Sequence, residues 1–203
     1  MNAMDTLLTS VSARGVATVA FNRPDKANSY DHAMLDALAD GFERFGCDPA
    51  VRVIVLRGAG KHFSAGAAFG QGDSRSRRGI AEVCGLIDAV DKPTVAAVQG
   101  ACVGGALALA SCCDVLLAAR DASFAIPELR LGFAPGPLVA VFIRALGYRA
   151  LRRYLLSGER FFADEALRIG LAHQICDTDA LESTLDGIVD GYLMAAPGSP
   201  ARG

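Results

Sequence analysis

The chain of 203 residues contains no tryptophan, three histidines and only 7% aromatic residues. Charge of one sign is also missing: 20 Lys and Arg against 22 Asp and Glu give a net charge of −2. Without a positive excess there is no bulk field to attract nucleic acid. The six cysteines (Cys47, Cys84, Cys102, Cys112, Cys113 and Cys176) form no C-x-x-C pair, and no histidine stands at zinc-finger spacing from them. They read as small buried hydrophobes of a reduced cytoplasm rather than as metal ligands or disulfide partners. No apolar run reaches the roughly 18 residues of a membrane-spanning helix. Met1 to Ser10 lacks a basic segment followed by an apolar core, so no signal peptide is expected and the expected location is the cytoplasm.

What is present is a globular composition, 52% apolar and 21% charged, which excludes disorder. A chain of this length can bury roughly 70% of its unfolded surface without staples. No internal repeat, linker or low-complexity tract divides it. The expectation is a single domain, with an α/β core over about 1–135, a mainly helical part over about 136–195 and a flexible tail over 196–203. Leu7–Ser12 and Val16–Phe21 read as a hairpin around Ala13-Arg14-Gly15. Met34, Leu35, Leu38, Phe42 and Phe45 share one face of a helix running to about Cys47, capped by Ser29 or Asp31. Val51–Arg57, Pro93–Gln99 and Val115–Ala118 are nearly continuous apolar runs, as in parallel strands buried on both faces. Helices are expected over Ile80–Val90, from Gly105 to near Cys113, and over Leu138–Leu146, Tyr148–Leu156, Ala163–Ile169 and Leu181–Met194. Strand–helix alternation implies right-handed crossovers.

Two glycine-rich loops follow buried strands, Gly58–Gly72 and Gly100–Gly105. Such loops either make tight turns or aim backbone N–H groups at a negatively charged ligand atom. Gly100 and Gly105 have P-loop spacing, but Ala106-Leu107 stands where Lys-Ser/Thr is required. Ser64 lacks the glycine two residues earlier that a nucleophile elbow needs, and a Ser64–His62 pair is disfavoured. Glu128 stands out, held in Ile126-Pro127-Glu128-Leu129. Among apolar neighbours a carboxyl becomes a usable base near neutrality; the alternative is a structural partner for Arg130. The basic run Arg75, Arg77 and Arg78 reads as a solvated loop or as a contact for a phosphate-bearing ligand.

Several segments, in order, resemble the crotonase superfamily, the enoyl-CoA hydratase/isomerase family. They are Phe21-Asn22-Arg23-Pro24-Asp25-Lys26-Ala27-Asn28, Val53–Ala67 ending Phe63-Ser64-Ala65-Gly66-Ala67, Ala96–Gly105 with Cys113-Asp114, Phe124–Gly132, and Ala163–Leu171. The resemblance implies a crotonase-like spiral of ββα units and an acyl-CoA thioester substrate, with coenzyme A as part of the substrate and no other cofactor or metal. It also implies a homo-oligomer, trimer or hexamer, with no nucleic-acid or membrane partner. Carried over by position, the N–H groups of Ala67 and Gly105 form an oxyanion hole and Glu128 is the acid/base. Lys26, Ala27, Ala65, Gly66, Ala68, Phe69, Gly104, Pro127, Leu131 and Gly132 line the substrate path. Hydratases of the family carry two glutamates; Ala108 occupies the position of the first, and Ala68 replaces a usual Asp. The stretch Phe69–Lys92 and the helical C-terminal part both look truncated against the family. The retained single glutamate favours Δ3–Δ2 enoyl-CoA isomerase chemistry. The alternatives are a hydratase or another acyl-CoA lyase or hydrolase, and a catalytically silent CoA-ester-binding or assembly protein.

Overall fold

The computed structural model describes residues 6–68 and 78–195. Its main sheet has six strands in the order β1 (Leu7–Val11), β2 (Val16–Phe21), β3 (Val53–Gly58), β4 (Thr94–Val98), β6 (Val115–Ala119) and β9 (Gln174–Cys176). β1 and β2 form the expected antiparallel hairpin, Leu7 opposite Phe21, and every other neighbour in the sheet is parallel. A second sheet orders β5 (Ala101–Val103), β7 (Ser123–Ala125) and β8 (Phe161–Phe162). The chain thus passes from a main-sheet strand to a short second-sheet strand and then to a helix, the ββα unit of the expected spiral.

The continuous apolar runs do have two buried faces. Ile54, Leu56, Ala96, Val98, Leu116 and Ala118 join the larger core. Alternate residues Val53, Val55, Val95, Ala97, Leu117 and Ala119 pack in a second cluster with Leu181, Leu185 and Val189 of α7 (Leu181–Leu193). This is the two-residue period of a strand applied to a sheet covered on both sides. Each fully buried Leu, Ile or Val there contributes about 1.5–3 kcal/mol.

α1 spans His32–Cys47, and its buried face is the predicted one, Met34, Leu35, Leu38, Phe42 and Phe45 with Ala39 and Gly41. Of the two candidate caps, Asp31 serves: its carboxylate accepts from Met34 N at 3.0 Å. α2 (Ile80–Ala89) and α3 (Gly105–Ser111) follow, then α4 (Leu138–Leu146), α5 (Tyr148–Ser157) and α6 (Ala163–Arg168). Among the described residues no helix is long and apolar enough to cross a membrane.

Three features go beyond what the sequence reading resolves. The mainly helical part beyond residue 136 also supplies a strand to the main sheet, β9 paired with β6. Within the Pro- and Gly-rich run 127–137, Glu128–Leu131 forms a 3-10 turn. Gly100–Gly105 is not a plain turn, because Ala101–Val103 pairs with Ser123–Ala125. Segments of three or four residues are too short to display a period, so only their long-range partners define them.

Candidate active site

Three chain segments meet at the start of α3. The first is 23–30. Pro24–Lys26 makes a 3-10 turn that ends in two left-handed residues, Ala27 (φ 48°) and Asn28 (φ 55°). Asn28 is fully buried and clamps two loops. Its side-chain amide donates to Ala59 O (2.9 Å) and His62 O (2.6 Å), and its Oδ1 accepts from Arg23 N (2.8 Å). The second segment is 64–68, lying between the first and β5. On one side Ala65 N donates to Ala27 O (2.9 Å) and Tyr30 N to Gly66 O (2.9 Å). On the other, Ser64 N donates to Ala101 O (2.9 Å) and Val103 N to Ser64 O (3.1 Å). Lys26, Ala27, Ala65, Gly66, Ala67 and Ala68 are therefore brought together, with Ala65 and Ala67 exposed.

The direction of the two amides singled out in the sequence follows from peptide geometry. In a trans peptide the C=O and the next N–H point opposite ways, and no cis bond occurs among the described residues. Gly66 O points at Tyr30 N, so the Ala67 N–H points away from Tyr30, to the side where this segment meets β5. Gly104 O accepts from Ala108 N (3.2 Å), so the Gly105 N–H points out of the N-terminal end of α3. A first-turn amide has no acceptor within its helix, and no side chain caps α3.

Gly104 and Gly105 are glycine for packing reasons. Gly104 has φ 58° and ψ −128°, a conformation that side chains resist. A Cβ there would lie 2.7 Å from Glu128 Oε1, so the carboxylate occupies the space of the missing side chain. On Gly105 a Cβ would lie 1.9 Å from the Tyr30 hydroxyl.

Glu128 opens the 3-10 turn after β7, next to Pro127. Its Oε2 is buried without a hydrogen-bond partner. Burial pushes the carboxyl above the ordinary glutamate range, while a bond from its own backbone N–H pulls it partly back. The alternative partner Arg130 is turned elsewhere, its Nη1 donating to Gly158 O (3.3 Å). Ala108 is fully buried in α3. Leu131 and Gly132 are exposed at the far end of the 3-10 turn. Phe69, Arg75 and Arg77 lie outside the described residues. Arg78 pairs with Glu43 (3.0 Å).

The Ser64–His62 pair does not form. Ser64 Oγ donates to Asn28 O (2.7 Å), and His62 Nδ1 accepts from Ala101 N (3.1 Å). Both are loop fasteners. Tyr30 is the neighbour of this site that sequence reasoning missed: one aromatic before a helix carries no local signal of where its hydroxyl ends.

Comparison with known proteins agrees with this architecture. The sequence profile of the enoyl-CoA hydratase/isomerase family matches residues 12–191. The chain belongs to that family, within the crotonase superfamily. It is 35% identical over 175 residues to a crotonyl-CoA hydratase of Syntrophomonas wolfei, covering 82% of this chain and 67% of that protein. It is 29% identical over 192 residues to an enoyl-CoA hydratase of Alternaria alternata, covering 92% of this chain and 64% of that protein. A crystal structure of an enoyl-CoA hydratase/carnithine racemase from Magnetospirillum magneticum superposes with a TM-score of 0.89 at 31% identity, covering 96% of this chain and 76% of that one. An enoyl-CoA hydratase from Shewanella pealeana gives 0.87 at 33% identity, covering 95% and 75%.

Proposed function

We propose that the protein acts on acyl-CoA thioesters through a thioester enolate, and that its reaction is Δ3–Δ2 double-bond isomerisation with Glu128 as the single proton shuttle. The observation that carries this reading is the Glu128 carboxylate. It is half-buried, has one oxygen without a partner, and rests against Gly104, one residue before an outward-pointing amide.

In the proposed reaction Glu128 takes a proton from the carbon next to the thioester of a 3-enoyl-CoA. The electron pair passes to the thioester oxygen, where the N–H groups of Ala67 and Gly105 hold the new charge. The protonated carboxyl then returns the proton two carbons further along, as the 2,3 double bond forms, and no atom is gained or lost. A base with a raised pKa suits both halves of this transfer. Donors fixed before charge develops lower the barrier, and the loss of one such donor typically costs about 2.7–4 kcal/mol. Lys26, Ala27, Ala65, Gly66, Ala68 and Phe69 are assigned to the coenzyme A path, with Pro127, Leu131 and Gly132 around the base.

Hydration is the second reading, favoured by the names of the relatives, which are hydratases. It needs a second group to activate water, and the buried Ala108 supplies none. Incubation with 3-enoyl-CoA and 2-enoyl-CoA esters separates the two. Isomerisation yields a conjugated 2-enoyl product of unchanged mass, whereas hydration adds one water. Glu128→Gln is expected to abolish turnover and retain CoA-ester binding; a fully active variant would overturn the assignment. Binding without any turnover by the native protein would instead indicate a silent CoA-ester binder.

A further inference from the structure

The Tyr30 hydroxyl is the second protic side-chain group at the start of α3, and neither the base nor the two amides account for it. Tyr30 is 5% exposed. Its backbone N–H is used by Gly66 and its carbonyl by Ala68, but among the described residues its hydroxyl has no hydrogen-bond partner. A buried phenol ordinarily finds an acceptor.

The position of the hydroxyl suggests what that acceptor is. It fills the side-chain space of Gly105, 1.9 Å from where a Cβ would stand. Covalent geometry then puts it within about 4.5 Å of Gly105 N. A Cβ direction in a helix tilts toward the N-terminus, the end at which the Gly105 N–H is aimed. One oxygen atom outside α3 can therefore accept from both groups at ordinary hydrogen-bond distances. Glu128 stands on the adjacent Gly104, so acceptor and base share one small site.

We propose that the Tyr30 hydroxyl is a further hydrogen-bond donor to the thioester oxygen of the bound acyl-CoA, acting beside the Gly105 amide; this rests on the acyl-CoA reading of the site. Burial, with Cys84 and Glu128 close by, raises the Tyr30 phenol well above the ordinary tyrosine range. The group therefore stays protonated and donates, rather than exchanging protons with Glu128. An extra donor offsets the apolar surroundings that Ala108 leaves at this end of α3, where an enolate without enough donors would be costly.

The test is Tyr30→Phe, which keeps the ring and removes the oxygen. The probe is butanoyl-CoA carrying carbon-13 at the carbonyl, read by infrared difference spectroscopy on the native protein and the variant. In the native protein the carbonyl stretch is expected to fall below its value in water. In Y30F it should move back toward that value, while kcat for a 3-enoyl-CoA drops about 10- to 100-fold with little change in KM. A merely structural tyrosine would not move the carbonyl frequency. Y30F is expected to melt within a few degrees of the native protein, because the lost hydroxyl has no protein partner. An unchanged stretch and unchanged kcat in Y30F overturn the role of Tyr30 and leave the site reading intact. A native protein that binds the ester without any carbonyl shift, or binds no ester, overturns the site reading and this proposal with it.

Discussion

Replacing Asn28 by alanine tests how the two loops of the site are held. The side chain makes three hydrogen bonds, from its amide to the part-buried Ala59 O and His62 O and, fully buried, to its Oδ1 from Arg23 N. Truncation leaves two part-buried carbonyls and one buried amide without these partners. Each such bond is worth about 1 kcal/mol net, and an unsatisfied buried group costs about 1–3 kcal/mol. Asn28 also has φ 55°, which alanine tolerates less well than asparagine, at a further cost of about 1 kcal/mol. The expected loss is about 3–5 kcal/mol, a large part of the stability of an ordinary domain. With an m-value of about 2 kcal/mol/M, the urea midpoint should fall by roughly 1.5–2.5 M. Asn28→Gly removes the left-handed strain but none of the hydrogen-bond loss, so it should recover only about 1 kcal/mol relative to alanine. Urea titrations of the native protein, N28A and N28G, followed by far-UV circular dichroism, give both differences. An N28A loss below about 1 kcal/mol, or a glycine variant as stable as the native protein, would falsify the clamp.

Gly104→Ala places a methyl group 2.7 Å from Glu128 Oε1 on a residue at φ 58°. It is expected to cost about 1–3 kcal/mol and to reduce kcat by displacing the carboxylate, as measured by melting and turnover. Glu128 titrates above the ordinary value of 4.5 because burial disfavours its charge. The acidic limb of kcat/KM should therefore lie above pH 4.5. Since the folded state holds this proton more tightly, the native protein should lose stability relative to Glu128→Gln as pH rises from 4.5 through the folded value. Melting temperatures of the pair across pH check the sign. Glu165 behaves oppositely. Arg168 and then the Tyr154 hydroxyl hold its carboxyl down to about 2. Its contribution is present above pH 4.5 and fades as pH falls through about 2, so Glu165→Gln should destabilise at neutral pH and converge with the native protein in acid.

Much of this molecule could be read along the chain. The runs at 51–57, 93–99 and 115–118 have strands buried on both faces because nearly every side chain in them is apolar. The apolar face of α1 follows from its period alone. Glu128 stands out because a carboxyl between Pro127 and Leu129, after Phe124-Ala125-Ile126, has few polar neighbours to solvate it. The motifs also point to the family that the comparisons establish.

What the chain did not reveal is how residues far apart in sequence share space. β9 contributes three residues to the main sheet some 55 positions after β6, and nothing within Gln174–Cys176 announces that pairing. Arg130 was an equally good partner for Glu128 until the fold turned it toward Gly158. Tyr30 reaches the glycine at position 105, and Glu128 reaches the glycine at position 104, only because β5 and the segment 64–68 hold the start of α3 against both. Side-chain period encodes which face of an element is buried. Which groups converge on one atom depends on backbone crossings between elements, and those are settled only when the sheets and helices pack.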